Sequence, residues 1–177
     1  MITQKIKSVI RDIPDFPKPG ILFKDITPIL LDAELCTEIV NEFISKSGNS
    51  LPDAIIGVES RGFFFGMMLA SKLNIPFIPV RKAGKLPYKT ISHEYDLEYG
   101  SSKIEMHTGV IQKGWNVLIH DDLLATGGTA AAAAELVVKQ HAKVSGFLFL
   151  VELDFLNGRK GLDKYAADNK IISLINY

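Results

Sequence analysis

The sequence predicts an α/β fold: an open, mostly parallel twisted sheet flanked by helices. Three observations support it. Four short apolar runs end in polar residues, AIIGVE at 54–59, FIPVR at 77–81, NVLIHDD at 116–122 and VSGFLFLVEL at 144–153, and they have the length and composition of strands buried on both faces. Helix-like segments lie between them, and strands alternating with helices imply parallel βαβ units. A chain of 177 residues that is 47% hydrophobic can fill one well-packed domain spanning 1–177,.

In chain order, MITQKIKSVIRDI spaces Ile2, Ile6 and Ile10 helically among charges, unlike the continuous apolar core of a signal peptide,. The proline-bearing PDFPKPGILFKDITPIL at 14–30 leaves the rhythm, and an irregular segment of that length is expected to cover something,. A helix follows at 32–47, with Asp32 as its N-cap and Gly48 as its stop,. After the strand at 54–59 comes the helix RGFFFGMMLASKL at 61–73, then the strand FIPVR. The second irregular segment, 84–107, is expected to move. Its YKTISHEYDLEY also alternates like a β-hairpin, and the two readings are compatible,. The strand at 116–122 leads into a helix at 128–141, where Ala130 to Ala134 allow the backbone to lie close to the sheet,. The strand at 144–153 and a helix at 157–168 complete the prediction.

Twenty basic residues balance twenty acidic ones, so no overall field favours nucleic acid or an anionic membrane, and any anion site must be local,. Cys36 is the only cysteine and cannot form an intramolecular disulfide, which suits a reducing compartment and a small buried side chain,. No stretch approaches a membrane span. The expectation is a cytoplasmic protein.

The chemistry concentrates in HDDLLATGGT at 120–129. Asp121 and Asp122 fall at the carboxyl end of a strand, where open α/β sheets bind ligands,. Ala125, Thr126, Gly127, Gly128 and Thr129 can present backbone N–H groups and hydroxyls to a phosphate at the positive end of a helix. Ionised carboxylates accept from hydroxyls, so the pair suits ribose, and together these parts read as a sugar-phosphate site. The other reading of the same turn is a capped, glycine-relieved strand-to-helix junction. A second anion site is suggested by ESRGF at 59–63 and RKAGKLP at 81–87, since each follows a predicted strand. Arg61, Arg81, Lys82 and Lys85 could converge there on a polyanion, although each cluster alone also reads as a solvated patch,. Neither GxxxxGK[ST] nor GxGxxG is present.

VLIHDDLLATGGT resembles the phosphoribosyl pyrophosphate (PRPP) signature of the type I phosphoribosyltransferases. PDFPKPGILFKDITPIL, ESRGFFFG, RKAGKLP and LEYGSSKIEMH are similar, in order, to the further motifs of the adenine phosphoribosyltransferases. The resemblance runs from about residue 14 to residue 162. It implies the family fold, with 1–33 as an N-terminal arm and base-covering hood and 88–105 as a mobile catalytic loop. It implies transfer of the phosphoribosyl group of PRPP to N9 of adenine, giving AMP and pyrophosphate with magnesium in purine salvage, by a homodimer.

Matched motif by motif, Asp121 and Asp122 would hold the ribose hydroxyls, directly or through the water shell of magnesium, and Ala125 to Thr129 would wrap the 5-phosphate. Ser60 and Arg61 would bind pyrophosphate, and Arg81, Lys82 and Lys85 would hold PRPP. Phe23 would stack on adenine while the main chain of Leu22 and Lys24 pairs with its edge; alone, a residue such as Phe23 is more often simply core than a stacking platform. Glu98 would handle the proton of the base, with Tyr99 beside it on the closing loop, so Glu98, Arg61 and Lys85 are the catalytic candidates. A cis peptide between Glu59 and Ser60 is also implied. Two positions depart from the pattern: Lys24, where some members carry Arg, and His120, where an apolar residue is common. No metal or catalytic role is assigned to His120.

Breaking the C1–pyrophosphate bond builds positive charge on ribose and negative charge on the leaving group, so cations at pyrophosphate and anions at ribose stabilise both. One competing reading is a phosphoribosyltransferase for xanthine, hypoxanthine or orotate, against which FPKPGILFKDI stands. Another is a non-catalytic sensor of PRPP or nucleotide, for which the chain has neither net positive charge nor length for a DNA-binding element.

Overall fold

A computed structural model describes residues 1–48, 50–96, 101–166 and 170–177. The N-terminal arm forms helix α1 (Ile2–Val9) and an antiparallel hairpin of β1 (Arg11–Pro14) and β2 (Leu22–Asp25), followed by a 3-10 turn at Thr27–Leu31. Helix α2 (Ala33–Ser47) starts where expected, its first turn capped by the Asp32 carboxylate accepting the Leu35 N–H at 2.9 Å,. It stops at Gly48, whose φ of 81° a side chain would resist,.

The remaining strands are β3 (Ala54–Val58), β4 (Phe77–Lys82), β5 (Thr90–Asp96), β6 (Ser101–His107), β7 (Asn116–Leu124), β8 (Lys143–Glu152) and β9 (Ile171–Asn176). They form one sheet in the order β5-β6-β4-β3-β7-β8-β9. The run from β4 to β9 is parallel, and the β5–β6 hairpin adds to β4 antiparallel. Helix α3 (Gly62–Leu73) links β3 to β4, and α4 (Gly128–Lys139) links β7 to β8.

Alternation along the strands divides the core in two. Ile56, Val117 and Phe147 face α4, whereas Ile55, Leu118 and Leu148 face α1, α2 and α3. Every residue of β3 is buried, as expected of a strand covered on both faces,. Helix α3 lies close to it because Gly57 has no side chain: a Cβ there would stand 2.5 Å from the Phe77 ring and 2.9 Å from the Gly62 carbonyl oxygen.

Several expectations are corrected. The helix expected at 157–168 is not an α-helix over its described part, 157–166: after a 3-10 turn at Asp154–Leu156, Asn157 takes a left-handed φ of 52° and a short 3-10 turn follows at Gly158–Gly161. Strand β9 and the β1–β2 hairpin are not among the predicted elements. The acid pair lies inside β7 rather than at its end, because β7 continues along β8 to Leu124. Its pairing with β3 stops at His120, so on that side the acids do stand past the strand ends. Among the described residues, no helix is long and apolar enough to cross a membrane.

Candidate active site

Beyond the carboxyl ends of β3, β4 and β7 lies a cleft of about 260 Å³. Ser60, Arg61 and Lys82 line one side, and Asp121, Asp122, Ala125 and Thr129 the other. The N-termini of α3 and α4 both open beside it, and neither carries a side-chain cap. The first N–H groups of a helix lack intrahelical partners, so two positive ends are available for anions.

A smaller hollow of about 70 Å³ adjoins the cleft, walled by Asp121 and by Leu123 to Ala130. Its shape depends on Gly127, which caps α4 with φ of 82° and packs so closely on the Gly158 main chain that a Cβ would collide with it,. The segment that opens with Gly158 thus backs this hollow. The Thr129 hydroxyl contacts the Tyr95 hydroxyl at 3.1 Å, which brings the β5–β6 hairpin against the start of α4.

Asp122 is 4% exposed, and its N–H donates to Asp121 Oδ1 at 2.9 Å. Arg61 Nε lies 3.1 Å from Asp122 Oδ2. Burial pushes both carboxyls above the ordinary carboxylate range. Asp121 rises well above it, because the charge of Asp122 adds to the effect of burial, while Arg61 opposes the rise at both,. Groups that donate to these oxygens, such as sugar hydroxyls or metal-bound water, would relieve that cost. Among the described residues, no three His, Cys, Asp or Glu side chains gather closely enough to hold a metal.

The Arg61 guanidinium carbon lies 4.8 Å above the Phe23 ring, and its buried Nη1 has no partner among the described residues. Phe23 is half-buried, not core, and Phe16 packs edge-on against it at 5.1 Å. Opposite Leu22 in the hairpin stands Pro14, which has no N–H, so that position is a non-hydrogen-bonded pair,. Alternation then turns the main-chain groups of Leu22 and Lys24 toward the open edge of β2. The Lys24 side chain is engaged elsewhere, at 2.8 Å from Asp12 and 3.8 Å from the centre of the Tyr177 ring.

Glu59, not singled out in the sequence, gathers the second basic cluster. Its carboxylate accepts from Lys85 Nζ at 2.5 Å, from the Lys82 N–H at 2.9 Å and from Arg81 Nε at 3.3 Å. Burial would raise its pKa, but these donors outweigh it and hold the group down to about 2,. The Glu59–Ser60 peptide is cis. Arg81 and Lys85 do not themselves line the cleft; Glu59, which does, holds them at its edge. A sequence signal existed, the acid preceding Ser60 and Arg61, but its partners lie on another strand. Glu98 and Tyr99 lie outside the described residues.

The model of the phosphoribosyl transferase domain family matches residues 25–176. An adenine phosphoribosyltransferase of Cytophaga hutchinsonii is 52% identical over 177 residues, covering 100% of this chain and 97% of the relative. Among solved structures, adenine phosphoribosyltransferase from Thermoanaerobacter pseudethanolicus superposes with a TM-score of 0.94 at 48% identity, covering 99% of each chain. The Saccharomyces cerevisiae enzyme, in complex with an imino-altritol bisphosphate and adenine, has a TM-score of 0.89 at 40% identity, with 98% of each chain covered.

Proposed function

The chain belongs to the adenine phosphoribosyltransferases, and we propose that it transfers the phosphoribosyl group of PRPP to N9 of adenine, forming AMP and pyrophosphate. One observation carries the reading. Arg61 lies over Phe23 of the N-terminal hairpin and pairs with Asp122 beside the phosphate hollow, so base, leaving-group and ribose sites meet at one side chain.

In this reading Phe23 stacks on the base, while the edge-facing main chain of Leu22 and Lys24 reads its hydrogen-bond pattern. Main-chain donors and acceptors distinguish adenine from hypoxanthine because the two present opposite patterns there, and a mismatched polar site rejects by roughly 10⁴-fold. Asp121 and Asp122 take the ribose hydroxyls, and Ala125 to Thr129 take the 5-phosphate at the start of α4. Ser60, Arg61, Arg81, Lys82 and Lys85 take the pyrophosphate, with Glu59 giving up its cations to it. Glu98 accepts the proton that N9 loses, and Tyr99 travels with it. The β5–β6 hairpin covers the cleft, because water would otherwise intercept the sugar cation.

Two adjacent carboxylates suit a magnesium ion held mainly by substrate phosphates and water, with one or two protein oxygens in reach. Bound there, it would neutralise charge on the leaving pyrophosphate. The chain acts in the cytoplasm, which the single buried Cys36 suits, and as a homodimer, for which α3 offers an exposed apolar face,.

The test is pyrophosphate release from PRPP and magnesium with adenine, hypoxanthine, guanine, xanthine and orotate offered separately, and Glu98→Ala as control. Release with adenine alone, weakened by the substitution, is expected. Preference for another base would sink the base assignment, and PRPP binding without turnover would favour a sensor.

A further inference from the structure

We infer that Glu105 is a positioning residue for pyrophosphate binding, because it fixes the turn that carries Lys85. This rests on the role given to Lys85 above. Glu105 stands on β6, 6% exposed, in register with Arg81 on β4 and Ser92 on β5. A buried carboxylate is costly unless its oxygens are satisfied. Here they are satisfied by the turn: Oε1 accepts the Gly84 N–H at 3.0 Å and the Leu86 N–H at 3.1 Å, and Oε2 lies 3.4 Å from the Thr90 hydroxyl. The two amides flank Lys85.

The turn has few ties of its own. Gly84 takes φ of 85°, and the described main-chain bonds are Ala83 N–H to the Lys103 carbonyl at 2.9 Å and Lys85 N–H to the Lys82 carbonyl at 3.3 Å. Arg81 Nη1 adds a bond of 3.2 Å to the Lys85 carbonyl oxygen. An ionised acceptor binds N–H groups more strongly than a neutral one, which is the reason for an acid at this place. Both carboxylate oxygens of Glu105 are engaged by Gly84, Leu86 and Thr90, so it acts on the substrate only through the turn. Glu59 and Glu105 thus divide the work: one holds the cationic ends until an anion replaces it, and the other holds the backbone throughout.

The experiment is steady-state kinetics on the full chain for Glu105→Ala, Glu105→Gln, Lys85→Ala and the double variant. Glu105→Ala is expected to raise the KM for PRPP and the inhibition constant of pyrophosphate roughly tenfold, the cost of a misplaced binding group, while the KM for adenine stays within about twofold. Glu105→Gln keeps an oxygen for both amides and is expected within about threefold of the parent. Added to Lys85→Ala, Glu105→Ala should change the KM for PRPP by less than about twofold, since both act through one group.

An equal rise in the KM for adenine, a Gln variant no better than Ala, or full additivity would each overturn the inference. If Lys85→Ala is impaired and Glu105→Ala is not, the positioning inference alone fails. If Lys85→Ala is silent, the role of Lys85 fails, and the inference with it. Should Glu105→Ala not fold, Glu105→Asp draws the carboxylate back by one methylene and carries the same test, with the same split expected and its absence overturning.

Discussion

The imidazole of His120 immediately precedes the acid pair yet points away from the cleft. It is fully buried, 5.4 Å from the Phe43 ring and 6.4 Å from the Phe65 ring, with Nδ1 3.0 Å from the Leu148 carbonyl oxygen. Its Nε2 is buried without a hydrogen-bond partner among the described residues. Burial holds its pKa down to about 4, against an ordinary 6.5, with the bond to Leu148 opposing the shift. The unfolded chain then binds the proton first as pH falls. Stability from the neutral ring is therefore complete above 6.5 and is lost as pH drops toward about 4, by about 3 kcal/mol in all,. Denaturant midpoints measured across that window should fall in the parent and fall less in His120→Gln. An identical acid loss in both would refute this. At Arg61 the residue scale joins two elements instead, since one planar cation touches both an aromatic ring and a carboxylate,.

At the scale of elements, the junction of β7 and α4 does most to shape the site. Ala130, Ala132, Ala133 and Ala134 are at most 3% exposed, so the alanine run serves close packing of α4 on the sheet,. That packing fixes where the first turn of α4 stands, and Gly127 sets how the chain enters it. Gly127→Ala combines a left-handed φ with a collision against the Gly158 backbone. It should cost roughly 2 kcal/mol or more of stability and weaken binding of the 5-phosphate. Thermal unfolding and titration with AMP check the two parts, and unchanged values would mean that the loop yields freely. The turn at Gly158–Gly161 belongs to the same unit: Arg159 clamps Glu152 at 2.7 Å and reaches the Ile171 carbonyl at 2.9 Å, so it serves as a wedge behind the loop.

For the whole molecule, α3 has one end at the cleft and presents an outward face on which Phe64, Met67 and Met68 are 40%, 53% and 36% exposed. Apolar groups collected in this way mark association surfaces. Light scattering is expected to give a dimer for the parent and a monomer for Met67→Glu; a dimer in both would move the interface elsewhere, and a monomeric parent would overturn the proposed homodimer. Much of this molecule was legible in advance. The apolar runs marked β3, β4, β7 and β8, and Asp121, Asp122 and the ATGGT loop do meet at one cleft and its adjoining hollow, because strand burial and turn chemistry are written in neighbouring residues,. Strand β9 and the wedge at Gly158–Gly161 escaped because each takes its form from contacts with β8 and the loop before α4. The sequence by itself determined the parallel sheet, the acid pair and the stock of cations at its edge. Only the tertiary structure decided that Glu59 would hold Arg81 and Lys85, that Glu105 would fasten their turn, and that Arg61 would join Phe23 to Asp122. Charge and hydrogen bonding act over a few ångströms, and those distances exist only once strands far apart in the chain lie side by side.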